Sequence, residues 1–376
     1  RHKTIRTETN EIVKNNILKQ GPYNIKSVKR GLRHKNGRGI IAGLTSISNI
    51  RGLTYKNGKT IPTEGKLSYR GIDIKTLVED FNFTSRYCFE QTVFLLLVGR
   101  KPDHSELKEL ISIMAENRKL DDSYFHFIKN LKSTNLMNKI QTAISALYGE
   151  DSNPESNDPT DNFIKSIHII SKLPIIISYL YLNAHFENPK FVVPREDYST
   201  AENFIYLLNQ GQEPNQFASY IFDLCLVLHA EHGGGNNSTF TTRVVSSSGS
   251  DIYSTLAAAI GSLKGPLHGG ANQKIADMIT DIKNNVENAS NKEDIQTYLE
   301  KIIKKEAFDK TGKIYGLGHA VYTKSDPRAE ILKVYVRILS EITNRKSDLN
   351  LYLNIADLGP SIFKKLKKTN KAIAPN

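Results

Sequence analysis

Three glycine-rich breaks each carry histidine: HAEHGGGNNSTF at 229–240, GPLHGGAN at 265–272 and YGLGHAVYTKSDPR at 315–328. Histidine is scarce, ten residues in 376, and four of the ten fall in these breaks. Glycine beside histidine lets a backbone or a ligand come close to the imidazole. His229 and His232 stand three apart, the spacing of one helical face. Imidazoles so placed can bind zinc, but the His-Glu-His pattern at four-residue spacing is missing, and His229 reads better as a satisfied core group. His232, at a predicted helix end against Gly233, Gly234 and Gly235, is the better candidate to meet a ligand. His268 precedes a predicted helix from about residue 271, whose positive end disfavours an imidazolium. A neutral imidazole N–H there can hydrogen-bond a carbonyl and stabilise a developing enolate. His319 follows Gly316 and Gly318, and its ordinary pKa near neutrality suits a general acid. Arg328 follows Asp326 and Pro327 at a helix mouth, where a guanidinium can either clamp a carboxylate bidentately or sit as a solvated charge. No phosphate-binding G-x-x-x-x-G-K-[ST] loop and no G-x-S-x-G elbow occurs, and Gly37, Gly39 and Gly43 do not follow a strand as a dinucleotide fingerprint requires.

The elements that must hold these breaks are mostly helices, so the predicted class is mostly α. Apolar residues at three- and four-residue spacing predict helices over 86–98, 103–119, 137–148, about 162–184 with a kink at Pro174, 200–209, 215–232, 251–263, 271–288, 291–308 and 327–344. The stretch 151–162 reads as a loop, and only 40–69 offers strands, with Gly58 and Gly65 as turns.

Composition narrows the classes further. The longest unbroken apolar run, Val93 to Val98, is too short to span a membrane. Cys88 and Cys225, both in apolar stretches, read as buried core thiols and exclude a disulfide scaffold or a cysteine zinc site. The net charge of +12 belongs to the ends: residues 1–38 carry +9 and the last thirteen residues +5, which leaves −2 for the 325 between. Such ends read as solvated tails, or as attractors of a polyanionic ligand such as a nucleotide-bearing substrate. No interleaved aromatics support nucleic-acid binding. No apolar signal core precedes residue 39; a mitochondrial presequence is conceivable on charge, but Glu8, Glu11 and the scarcity of Ser argue against it.

In this order, the three breaks resemble the citrate synthase family. Supporting stretches are GLTSISNI at 43–50, GKLSYRGIDI at 65–74, FLLLVGRKPDHSEL at 94–107 and SSSGSDIYSTLAAAIGSLKGPLHGGAN at 246–272. The likeness runs from near Gly39 to the end of the chain. It implies an almost wholly helical homodimer of two-domain subunits, here divided as a basic segment 1–38, a large domain 39–269 and a small domain 270–376. It further implies condensation of acetyl-CoA with oxaloacetate and hydrolysis of citryl-CoA, with no metal, no redox cofactor, no nucleic acid and no membrane as partner. Carried over, the resemblance makes His268 the group that stabilises the acetyl-CoA enol. His319 becomes the group that polarises and protonates the oxaloacetate carbonyl. His232, Asn236 and Arg328 become oxaloacetate ligands, and Gly316, Leu317 and Gly318 line CoA. The aspartate that takes the methyl proton in the family would lie past Asn376; Asp348 and Asp357 do not fit it, so the chain as given is expected to turn over negligibly. The alternatives are a 2-methylcitrate synthase using propionyl-CoA and a non-catalytic helical binding module. An Asn-, Lys- and Ile-rich composition suggests a bacterium, hence a cytoplasmic location, with the mitochondrial matrix as the other choice.

Overall fold

Short polar side chains mark where the helices begin. The computed structural model describes residues 43, 45–57, 59–82, 84–288, 290–319, 321–369 and 373–375; the basic segment 1–38 lies outside them. Two strands, β1 (Ser48–Lys56) and β2 (Lys59–Tyr69), form an antiparallel hairpin, and β3 (Ile72–Asp73) pairs with β2 to complete the sheet order β1-β2-β3. Helices follow: α1 (Ile74–Glu79), α2 (Cys88–Val98), α3 (His104–Glu116), α4 (Asp122–Lys129), α5 (Leu136–Ala146), α6 (Pro159–His185), α7 (Thr200–Leu208), α8 (Gln216–His229), α9 (Asn237–Ser246), α10 (Ile252–Leu263), α11 (Ala271–Asn285), α12 (Lys292–Ile303), α13 (Pro327–Ile342) and α14 (Lys346–Lys367). The mostly helical class and the hairpin region are as the sequence predicts.

Asp103 with Glu106 and Ser199 with Glu202 make reciprocal capping boxes at the starts of α3 and α7. Asn236 and Asp326 cap α9 and α13 with their side-chain oxygens, each cap worth about 1 kcal/mol. Tyr87 gives α2 no side-chain cap; instead Asp223 of α8 accepts from the Cys88 and Phe89 amides, each at 2.9 Å. That carboxylate satisfies two orphan donors at the helix's positive end and ties α8 to α2.

Four cores hold the helices, the smallest of them Val93, Leu110, Met114 and Ile167 where α2, α3 and α6 meet. Ile144, Ile176, Leu180 and Leu207 centre one among α4, α5, α6, α7 and α10. Leu67, Tyr69, Leu95, Leu224 and Leu228 centre a second, where the hairpin meets α1, α2 and α8 and where α13 adds Ile331, Leu332, Tyr335 and Leu339. Met278, Leu299, Ile302 and Leu351 centre a third, among α11, α12 and α14.

Several expectations change. The run 346–367, where the apolar spacing predicts no helix, is one helix that carries Gly359 and Pro360 inside it. Gly359 is there for space: a Cβ on it would lie 2.4 Å from Leu317 Cδ1. Gly65 is no turn but sits inside β2. α4 was not anticipated; it is short, with an amphipathic pattern of only two buried residues. α6 meets the length and apolarity needed to cross a membrane, contrary to the reading from unbroken runs, but half of that window is buried in the protein against α5 and α7. Pro174 lies within α6 without ending it. Cys88 is buried as expected, whereas Cys225 is only half-buried.

Candidate active site

α8 ends at His229, so His232 lies beyond the helix and the two imidazoles do not share a helical face. His229 is exposed, with its Nδ1–H donating to the Cys225 carbonyl at 2.7 Å; it is satisfied, but on the surface and not in the core. Their pairing as metal ligands fails for the same reason, since His232 turns to other partners. Its ring meets His319 edge-on, with centroids 5.2 Å apart at 90°, and Tyr322 at 5.4 Å. His232 Nε2 is buried without a hydrogen-bond partner. Leaving such an atom unpaired costs about 1–3 kcal/mol, a penalty that a bound ligand can remove. Burial first, then the Arg328 charge, pushes the His232 pKa down to about 3, so this imidazole is neutral at physiological pH.

The 315–328 break supplies the rest of this cluster. His319 Nδ1 accepts from the Val321 and Tyr322 amides, both at 3.0 Å. A nitrogen that accepts two N–H groups carries no proton, so the neutral ring holds its hydrogen on Nε2. Burial, aided by Arg328, holds the His319 pKa below its ordinary value. Tyr322 is fully buried and stacks on His319 at 4.9 Å and 24°. Arg328 lies with Cζ 5.7 Å from the same Tyr322 ring. The buried Asp326 accepts from Arg328 Nε at 3.1 Å and Nη2 at 2.7 Å. Burial alone would raise Asp326, but the hydrogen bonds and charge of Arg328 outweigh it and hold the carboxyl below its usual range. The guanidinium is thereby aimed and charge-balanced, with its Nη1 donors left for a second anion.

His268 stands in the loop before α11, which starts at Ala271 as expected. Its Nε2 lies 2.9 Å from Ser238 Oγ, and that hydroxyl lies 3.0 Å from the Ala259 carbonyl. A carbonyl only accepts, so both contacts hold when His268 donates from Nε2 and Ser238 donates to Ala259. The opposite arrangement, with Ser238 donating to Nε2, gives up the Ala259 bond and frees an Nδ1–H donor. Burial lowers the His268 pKa; no contribution from the helix end is needed. Ser238 is itself set by Asn236, which accepts from the Ser238 amide at 2.8 Å.

The fold thus groups His232, His319 and Arg328 directly, and groups His268 with Asn236 through Ser238; residues 233–235 join the two groups along the chain. Gly316, Leu317 and Gly318 form a separate edge. Both glycines have positive φ, the Gly318 amide donates to the Ala374 carbonyl at 2.9 Å, and Leu317 bridges Pro375. Tyr322, Ser238 and Tyr69 were not singled out in the sequence. Tyr322 could have been, lying three residues from His319; nothing local distinguishes Ser238 or Tyr69. Asp348 pairs with Lys283 at 2.6 Å and Asp357 with Lys292 at 3.9 Å, contacts with α11 and the start of α12 and not with the histidines.

The sequence model described as "Citrate synthase, C-terminal domain" matches residues 32–376. Citrate synthase 2 of Bacillus subtilis is 36% identical over 324 residues, covering 85% of this chain and 77% of that protein. The citrate synthase of Haloferax volcanii is 34% identical over 320 residues, covering 84% and 75%. The 2-methylcitrate synthase of Mycobacterium tuberculosis is 31% identical over 330 residues, covering 88% and 74%. Among solved structures, the citrate synthase of Pyrobaculum aerophilum superposes with a TM-score of 0.72 at 28% identity, covering 95% of this chain and 84% of that one.

Proposed function

The chain belongs to the citrate synthase family, and from that premise we propose that its three histidine-bearing breaks carry out the family's condensation of acetyl-CoA with oxaloacetate, followed by hydrolysis of citryl-CoA to citrate and CoA. With Ser238 donating to its Nε2, neutral His268 donates its Nδ1–H to the thioester oxygen and stabilises the enol once a carboxylate has taken the methyl proton. We assign that base to none of the described residues. His319 donates its Nε2–H to the oxaloacetate carbonyl, polarises it and delivers the proton to the alkoxide that forms as the enol carbon attacks. His232 Nε2 and the Arg328 guanidinium bind oxaloacetate, and Asn236 shapes its site through the cap of α9. The backbone at Gly316, Leu317 and Gly318 lies beside CoA. No metal or redox cofactor enters this chemistry.

One observation carries the reading: two half-buried neutral imidazoles in edge contact, one with a buried, unpartnered Nε2 and the other with its proton confined to Nε2, beside an aimed guanidinium. Donors fixed in a dry site are worth far more to a developing alkoxide than they are in water. The division into domains 39–269 and 270–376, a homodimer and a cytoplasmic location belong to the same proposal. The separate core of α11, α12 and α14 supports the division, while α13 packs on the core of the first part.

Release of CoA thiol by the natural protein tests the reading. Release that needs both oxaloacetate and acetyl-CoA and persists in a chelator is the expected outcome. Faster turnover of propionyl-CoA moves the assignment to 2-methylcitrate synthesis. A folded protein that releases thiol from neither makes the chain a binding module.

A further inference from the structure

The β1–β2 hairpin carries none of the candidate site residues, yet two of the three histidine breaks, 229–240 and 315–328, rest on it. On one side Ser48 Oγ donates to Glu231 Oε1 at 3.1 Å, the Glu231 amide donates to Tyr69 Oη at 3.3 Å, and Tyr69 donates to the Val227 carbonyl at 2.9 Å. Glu231 Oε1 also accepts from the Gly233 amide at 2.7 Å, so strand β1 reaches His232 through its immediate neighbours.

On the other side the strands touch the 321–327 segment without intervening side chains. A Cβ on Gly52 would lie 2.3 Å from the Val321 carbonyl oxygen and 3.2 Å from Tyr322 Cα. A Cβ on Gly65 would lie 2.2 Å from the Ser325 carbonyl oxygen, 2.9 Å from Tyr322 Cδ1 and 3.0 Å from Pro327 Cδ. The Gly65 amide donates to Ser325 Oγ at 3.1 Å. Gly52 falls where the β1–β2 register shifts, the bulge that bends the strand towards the loop. Neither glycine has a positive φ, so what these positions require is space and not a special backbone conformation.

The segment so gripped supplies the Val321 and Tyr322 amides that hold His319 Nδ1 as an acceptor. We propose that Gly52 and Gly65 are positioning residues for His319: by admitting the loop backbone against the hairpin they fix the two amides that force the imidazole proton onto Nε2, and they hold that ring against His232. The proposal rests on the reading of His319 as the donor to oxaloacetate. It places the determinant of histidine tautomer in a hairpin more than 250 residues away in sequence, where no side chain performs chemistry.

The test uses Gly52→Ala and Gly65→Ala in the natural protein, with Gly149→Ala as control, since a Cβ there meets nothing within 4 Å. Histidine ¹⁵N spectra report which ring nitrogen of His319 is protonated, calorimetry gives the affinity for oxaloacetate, and steady-state kinetics gives kcat and KM for acetyl-CoA. The two hairpin variants are expected to lose the single Nε2–H signature and to lower kcat about 10²-fold, the scale of a 1 Å misplacement, with oxaloacetate affinity reduced far less. KM for acetyl-CoA should stay near the wild-type value, and the control should match wild type throughout. If either alanine prevents folding, Ser325→Ala removes only the hydroxyl that the Gly65 amide bonds and should shift both readouts in the same direction. Folded variants with wild-type tautomer and wild-type kcat overturn the proposal. A wild-type protein that binds no oxaloacetate overturns the functional reading instead, and the tautomer spectra, which need no substrate, still decide the role of the hairpin.

Discussion

His319 and His232 differ in what the chain does with their nitrogens, and that difference sets their chemistry. Two backbone amides fix the proton of His319, whereas His232 keeps a buried nitrogen with nothing to bond. Arg328 is aimed by Asp326 through two nitrogens, a geometry that a lysine cannot reproduce. Arg328→Lys should therefore raise KM for oxaloacetate by about 10–100-fold, the loss of one or two charge-assisted hydrogen bonds of about 1.5–3 kcal/mol, with KM for acetyl-CoA nearly unchanged. Equal rises in both constants would show that Arg328 serves the fold and not the substrate. The candidate residues His232, His268, His319 and Arg328 could be picked from the sequence because glycine and histidine rarely cluster by chance. Tyr322, three residues from His319, could have joined them; Ser238 could not, because its role exists only through a neighbour that folding brings in from elsewhere, the Ala259 carbonyl from α10 against its hydroxyl.

Among the elements, the longer capped helices are legible to within a few residues, whereas the short α1, α4 and α9 are not, although Asp73, Asp121 and Asn236 cap them. Gly65 looks like a turn in sequence, yet it and Gly359 mark close approaches of distant segments, Ser325 on one and Leu317 on the other. The start of α2 is likewise fixed from a distance, by Asp223. Asp223→Ala leaves two buried amides unsatisfied and should destabilise the protein by about 1–3 kcal/mol, seen as a lower urea midpoint. Oxaloacetate affinity should change little, because the bonds Asp223 makes go to the start of α2 and not to the candidate site residues. A normal midpoint would mean that water or a rearranged helix end replaces the cap.

For the whole molecule, partly burying three imidazoles whose pKa values are lowered ties stability to pH. An exposed histidine in the unfolded chain takes up a proton as pH falls below about 6.5, while folded His232 resists until about 3. The unfolded state therefore binds more protons in that interval, and stability falls as pH drops through it. Asp326, held low by Arg328, adds a loss at still lower pH, below its ordinary value of 3.8. Urea midpoints of His232→Gln should fall less steeply between pH 6.5 and 4 than those of the wild type. Parallel slopes would place the acid sensitivity elsewhere.

The account stands on His319 as a fixed Nε2–H donor to a carbonyl that gains charge, so the most direct measurement is kcat of His319→Gln together with oxaloacetate binding to the same variant. A general acid typically contributes about 10²–10⁴-fold. The expected result is a fall in kcat of that order with oxaloacetate affinity reduced far less, since the interaction strengthens only as the alkoxide forms. An unchanged kcat in a folded His319→Gln protein that still binds oxaloacetate would contradict it.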